Sequence, residues 1–464
     1  MLVRLLSDIF AGKHRDLATA TQAPVPGSES KPEPEFPPLA PRTVTPPRYR
    51  RGGSIIVVTG ESEGNALKDV SPDCVRALRS QASAVHTIDC REPDWVSQLI
   101  AAMQDPVWFV FGFFGAGQSL QLSSKKTDGN LWTATRIPFV RAYGDIPAYS
   151  PHLHRQGDPN SINLYAHPEH AKFSQTWLKP VGVTAVTQPL LLDVLPEEDI
   201  DFPVKEKGNI IFPKNCNDPD AVVRFWRNEL PPQVSAALET LGEELTSCGK
   251  IDQPVALDEE IIAHFTALGI DLGSSNHLVL FLVAQLDDYL RRVKSTMIAR
   301  ALLDYPVEIR GSNWRHVDFT GKTARLIPDT SYVKTSEIMR TALAVIDMSP
   351  NTQFRPHDRI MRAAGRYTTF LTNTQKFFEL HFDNHAEFSF RFSPESIRER
   401  VEFALENPAR TVELGRMLGR QMRPLADEAH YACTLATALD TCAFACGERP
   451  TGTQPFVAFK SALE

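Results

Sequence analysis

Short, almost uncharged runs rich in β-branched and aromatic residues recur along this chain, separated by stretches of helical period. That alternation constrains the fold more than any other feature. SIIVVTG from Ser54, AVHTI at 84–88 and VWFVFGF at 107–113 read as buried parallel strands, with helices expected over 72–81 and 95–103. After an acidic connector, PEEDID, the pattern restarts at GNIIFP (208–213). A long helical stretch over 255–303 is followed by strands VEIRG (307–311), ARLIP (324–328), LAVIDMSP (343–350), TTFLTN (368–373) and AEFSFRF (386–392), with helices over 334–341 and 358–366 among them. Ser393-Pro394-Glu395 and Asn407-Pro408 read as helix starts. Strands alternating with helices pair in parallel through right-handed crossovers. The expected fold is α/β, with two Rossmann-like doubly wound domains facing a cleft.

The 464 residues suit two such domains plus tails. We expect a disordered, proline-rich segment at 1–53, because 19–53 is too polar and proline-rich to bury a core. A first domain at 54–203, a second at 204–424 and a helical segment at 425–464, packing back on the first domain, complete the division. The first residues are too short an apolar run, and too charged, for a span or signal peptide. Leu2, Leu5, Leu6 and Ile9 nevertheless share a helical face, which allows residues 2–11 to dock on a membrane surface or partner. A net charge of −7 gives no basis for binding nucleic acid. The seven cysteines are odd in number and never form a CxxC pair, which reads as reduced thiols in a cytoplasmic protein.

Candidate chemistry gathers where strands end. Glycine loops at 60–64 and 112–117 follow strands, at the edge where α/β sheets bind ligands, although neither matches GxGxxG and tight strand-to-helix turns explain them better. His152, His154, His167 and His170 have chelating spacings without a partner carboxylate or thiol, so they read as loop or cleft histidines. Asp199-Ile-Asp201 forms a DxD triplet within a linker. Between 349 and 373 a strand end, a loop and a helix start make an anion site, with His357 and Arg359 at the start of that helix. Lys214, just beyond the second domain's first strand, reads equally as a phosphate ligand or a loop lysine.

In order and spacing, Gly311 and Trp314, Ser349 and Pro350, His357 and Arg359, and Leu371 and Thr372, followed by a closing helix pair, resemble the C-terminal domain of CgeB-like glycosyltransferases. The likeness is clearest over 300–420. RIPFVRAYGDIP resembles the stretch carrying that family's Asp-x-Pro, with Asp145 and Pro147 in those places. The resemblance implies a GT-B fold and a nucleotide-sugar donor, transferring without a metal to a glycan, lipid or protein acceptor. It places donor and phosphate contacts at Lys214, Gly311, Trp314, Ser349, Pro350, His357, Arg359, Thr372 and Asn373. A base, if one is used, is expected among Asp145, His152 and His154. Two positions depart from the family: Arg362 stands where it has a donor-binding glutamate, and Tyr367 where it has a glycine. Arginine accepts no hydrogen bond. The donor is therefore held differently, or Glu379 or Asp347 substitutes, or the domain is a silent binding module. A sugar-nucleotide epimerase on the same architecture is a further alternative.

Overall fold

The computed structural model describes residues 51–60, 66–79, 81–124, 127–155, 157, 159–272 and 276–446. The proline-rich tether, the docking segment at 2–11, Gly64 and the end of the C-terminal segment lie outside the described residues.

In the first half run β1 (Ser54–Thr59), β2 (Val85–Asp89) and β3 (Val107–Phe113), then a small antiparallel hairpin of β4 (Gln121–Ser124) and β5 (Thr127–Asn130), then β6 (Phe139–Tyr143), β7 (Ser161–Tyr165) and β8 (Val183–Val186). Six of these form one parallel sheet in the order β2-β1-β3-β6-β7-β8. The second half supplies β9 (Ile210–Pro213), β10 (Val307–Arg310), β11 (Arg325–Ile327), β12 (Ala344–Ile346), β13 (Thr369–Asn373) and β14 (Ser389–Phe390), a second parallel sheet ordered β11-β10-β9-β12-β13-β14. That is the doubly wound order of a dinucleotide-binding sheet. Every residue of β1 and β9 is buried, because helices cover both faces. Two Rossmann-like domains facing a cleft are what the sequence led us to expect. Strand order reverses between β1 and β3 in one sheet and between β9 and β12 in the other, and the crevice at such a reversal is where open α/β sheets hold ligands.

The elements differ from expectation in three places. The helix placed at 72–81 begins at Ala66 and carries Pro72 inside it, where a proline removes one hydrogen bond without ending the helix. Of the strand expected over 386–392, only Ser389 and Phe390 pair, because His385–Glu387 makes a 3₁₀ turn; Phe388, Phe390 and Phe392 alternate into the core instead. The histidine-rich stretch read as loop contains β7 and a helix, Pro168–Trp177. Pro168 and Glu169 after His167 were its signal, a proline at the first helical position with an acid in the first turn.

One helix spans both domains. Asn276–Leu302 has 27 residues, a length of about 40 Å. Its first half packs with the helices Pro219–Glu229, Pro232–Thr246 and Leu257–Ala267 in a cluster that also takes Ala148, Phe173 and Leu178 of the first domain. Its last turns add Ile298, Ala299 and Leu302 to the second domain's core. The final helix, Glu428–Cys446, returns to the first sheet, where Tyr431, Leu435, Leu439 and Cys442 join Ile162, Leu164 and Val183. Among the described residues, no helix is long and apolar enough to cross a membrane.

The segment joining the two sheets is seated on Gly365. An ideal Cβ there would lie 2.4 Å from the Leu192 carbonyl oxygen, and the Leu195 N–H donates to the Gly365 carbonyl at 3.1 Å. Because the obstacle is backbone, no side-chain rotation relieves it. Gly365→Ala is expected to lower unfolding free energy by about 1–3 kcal/mol in a denaturant titration; an unchanged midpoint would show that the connector does not pack this way.

Candidate functional site

A cavity of about 350 Å³ lies between the carboxyl edges of the two sheets. From the first domain come Phe113 and Phe114 after β3, Tyr143, Gly144 and Asp145 after β6, His167 after β7 and Gln188 after β8. Opposite them stand Pro350, Arg355, His357, Asp358 and Met361.

The second-domain wall is organised by Asp347, which follows β12 and is 1% exposed. Arg359 NH1 donates to Asp347 Oδ1 at 3.0 Å, and His357 Nδ1 lies 3.3 Å from Asp347 Oδ2 and 2.9 Å from Asp358 Oδ1. Burial would raise the Asp347 pKa, but His357 and Arg359 hold it at about 2. Burial would likewise depress His357; Asp358 and Asp347 outweigh it and raise it to about 9, so the imidazole is charged at neutral pH. Asp358 opens the helix Asp358–Gly365 with His357 as its N-cap residue, a position that favours anions.

Lys214 follows β9, on the other side of the strand-order reversal from Asp347. Its backbone is gripped from several sides. Its N–H donates to Arg310 O at 2.8 Å, its carbonyl accepts from Trp314 Nε1 at 2.8 Å, and a Cβ on Gly311 would meet that carbonyl at 2.2 Å. Gly311 takes φ +157 there. Gly311 and Trp314, expected as donor contacts, are therefore braces: Trp314 is buried against Phe212, and neither lines the cavity. The Lys214 ammonium itself makes no ion pair or hydrogen bond among the described residues. Burial, then Arg359 and Arg291, lower its pKa to about 8. Lys294 is similarly lowered to about 8 by burial and stacks over Phe392.

The long interdomain helix contributes Arg291, which reaches both domains. It pairs with Asp287 at 2.7 Å and with Asp145 at 3.6 Å, and its pKa is raised by these carboxylates against the opposing effect of burial. Asp347, Asp287 and Asp145 thus have their cations; among the described residues Lys214, Lys294 and the wall residue Arg355 form no ion pair.

The remaining expected residues divide. Pro350 lines the cavity. Ser349, Thr372 and Asn373 do not: Asn373 Oδ1 accepts from Ser349 N–H at 2.9 Å, and Thr372 Oγ1 accepts from Gln375 Nε2 at 3.2 Å, so they tie the ends of β12 and β13 together. Asp145 is on the cavity wall, its side chain 56% exposed. The structure does not bring His152 or His154 to the cleft. His152 is exposed on a short helix, while His154 is buried against the Tyr143 ring at 3.9 Å, with Nδ1 2.8 Å from the Tyr165 hydroxyl. Burial holds His154 at about 3.

His167, read in the sequence as one of four loop or cleft histidines, and Glu169, unrecognised there, stand at the cleft. His167 lines the cavity, its Nδ1 buried without a partner, and burial followed by the nearby His357 charge lowers it to about 3, keeping it neutral. Glu169 reaches across the cleft, where Oε1 accepts from Gln353 N–H at 2.9 Å and Phe354 N–H at 3.3 Å. Both follow β7, the strand absent from the sequence reading.

Residues 291–439 match a family model described as glycosyl transferase-like. That glycosyl transferase-like region contains the whole second-domain wall and Arg291; Lys214 precedes it. No curated protein matches the chain. Among solved structures, the chain is similar to an α-glucosyltransferase in complex with UDP and a DNA containing an HMU base, with 8% identity, 83% of this chain and 99% of that one covered, and TM-score 0.40. It is also similar to a glycosyltransferase from Rickettsia africae ESF-5 (8%, 84% and 98%, 0.39) and to WaaG, a glycosyltransferase involved in lipopolysaccharide biosynthesis (12%, 85% and 100%, 0.36).

Neither departure from the family pattern projects into the cavity. Arg362 stacks on the Tyr332 ring at 3.6 Å and donates through Nε to Ser336 Oγ at 3.1 Å, joining two helices. Tyr367 holds a left-handed backbone, at φ +53, a conformation that glycine adopts more readily. Gly419 makes room for its ring, 2.6 Å from where a Cβ would sit, and Phe202 and Arg423 cover it.

A histidine raised in the folded state stabilises fully below its unfolded pKa of about 6.5, and that stability is lost as pH rises through its folded value of about 9. The melting temperature of the wild type is therefore expected to exceed that of His357→Gln most below pH 6.5 and to converge with it by about pH 10. A difference independent of pH would show that His357 is neutral beside Asp347.

Proposed function

We propose that this protein transfers a sugar from a nucleotide-sugar donor to an acceptor hydroxyl in the interdomain cleft, without a metal ion, as the CgeB-like resemblance implies. One observation carries the reading: an unpartnered ammonium, Lys214, stands beside Arg291 and Arg359 at the strand-order reversal of a nucleotide-binding type of sheet. The match of residues 291–439 to a glycosyl transferase-like model supports it.

In the proposed step the acceptor oxygen forms a bond to the anomeric carbon while the bond from that carbon to the donor's phosphate oxygen breaks. The electron pair leaves with the nucleoside diphosphate. Lys214, Arg359 and the start of the helix Asp358–Gly365 face that developing charge, taking the part a divalent ion plays elsewhere. If configuration inverts, the acceptor proton passes to a first-domain base. Asp145 and the neutral His167 are the groups placed for this, and Arg291 stands 3.6 Å from the Asp145 carboxylate.

Thermal unfolding in the presence of UDP, GDP, dTDP and CMP and their sugars tests the reading. A true donor at a hundredfold excess over its Kd adds about 2.7 kcal/mol of stability. Lys214→Ala leaves no partner stranded, so it is expected to keep its Tm yet weaken binding of the stabilising nucleotide by about 10- to 100-fold. The transferase reading fails if no nucleotide stabilises the protein; Lys214 leaves the site if the variant binds as the wild type does.

A further inference from the structure

The cavity has two chemical halves. Asp145, His167, His357 and Asp358 give its wall a polar part, with His357 and Asp358 paired at 2.9 Å. The rest is apolar and comes chiefly from the first domain: Phe113, Phe114, Leu164, Leu190, Leu192 and Tyr431, the last from the returning C-terminal helix. Sugars are held by carboxylates, amides and basic groups that pair with several hydroxyls at once. Outside the charged cluster this wall offers one amide and one basic group, Gln188 and Arg355, and they bond to each other at 3.1 Å.

Phe114 is the informative member. It follows β3 at the strand-order reversal of the first sheet and sits at φ +50, a left-handed conformation natural to glycine and strained for a bulky residue. The loop holds it there: its N–H donates to Ala142 O at 2.9 Å, Gly115 and Gly117 continue at φ +75 and +80, and a Cβ on Gly117 would meet Val58 Cγ1 at 2.5 Å. With glycines on the same turn, nothing in the backbone calls for a side chain at 114. What the phenylalanine adds is an aromatic face on the cavity wall, set edge-on to Tyr143 with ring centroids 6.0 Å apart. Strain retained beside a ligand crevice marks a position kept for what it binds.

We infer that the acceptor is a small, largely apolar alcohol, aromatic or alicyclic, whose ring system lies on Phe114 and its apolar neighbours while its hydroxyl points to Asp145 and His167. About 350 Å³ is at the low end of what a drug-sized molecule fills. The inference rests on the transferase reading for the fate of the hydroxyl, but the binding it asserts is measurable without donor.

The test uses the full chain and two fluorescent aromatic alcohols, umbelliferone and naphthol, with maltotriose as a polar competitor. Wild type is expected to bind both aromatics saturably, without displacement by maltotriose. Phe114→Gly relieves the strained backbone, so its Tm is expected to hold or rise, while affinity for the aromatics falls by about tenfold or more. Leu190→Ala, on the same wall, is expected to weaken binding in the same direction. The proposal is overturned if neither aromatic binds, if maltotriose competes, or if Phe114→Gly binds as tightly as wild type. Nucleotide binding, read on the same samples, separates the two ideas. Aromatic binding without any nucleotide binding sinks the transferase reading alone, and nucleotide binding without aromatic binding sinks the acceptor assignment alone.

Discussion

The second domain's wall depends on one buried carboxylate. Asp347, at the end of β12, has no water to solvate its charge, and an ion in that position persists only when cations meet it at close range. His357 and Arg359 do so, and because both belong to the start of one helix, satisfying Asp347 fixes where that helix begins. The same contacts bring the helix's positive end, Asp358 and the charged imidazole to the cavity wall. Removing Asp347 would therefore leave Arg359 without its carboxylate and His357 with Asp358 alone, and the wall's order rests on it more than on any cavity-lining residue.

Much of the architecture was legible because parallel strands buried on both faces leave an unmistakable trace. SIIVVT and VWFVFGF have no polar alternation to confuse them with an amphipathic helix. β7 was harder: SINLY carries a buried asparagine, and Asn163 bonds to the Val181 carbonyl at 3.0 Å, so its polarity resembled a loop's. Without that strand, whose end positions both residues, His167 stood undistinguished among four histidines and Glu169 went unseen. The motif residues show a different limit. Gly311, Trp314, Thr372 and Asn373 were recognised by order and spacing, which does not distinguish a group that touches a ligand from one that holds its neighbour. Only the geometry shows Gly311 and Trp314 gripping the Lys214 backbone and Asn373 gripping Ser349.

Arg362 and Tyr367 make the same point in reverse. In the sequence they put donor recognition in question, since arginine cannot replace a hydrogen-bond-accepting glutamate. In the fold each is absorbed by a compensating change nearby. The Tyr332 ring and Ser336 accept the guanidinium, and two glycines on one helix, Gly415 and Gly419, give the tyrosine its space. Both side chains serve the packing of the second domain's outer helices. Asp347, 1% exposed and not among the cavity-lining residues, does not stand where it could take the place of the carboxylate that the resemblance led us to expect at Arg362.

The long helix makes the two walls interdependent. Arg291 stands between Asp287 on its own helix, Asp145 on the first domain and the electrostatic neighbourhood of Lys214 and Arg359 on the second. Asp287 is held in turn by the Tyr149 hydroxyl of the first domain at 2.7 Å, so this charge network crosses the cleft without a break. On the proposed function, a diphosphate drawn to Lys214 also attracts Arg291, and every share of that guanidinium it takes is withdrawn from Asp145. Donor binding on one domain would thereby loosen the ion pair that holds the group facing the acceptor on the other, through a single side chain on a helix rooted in both cores.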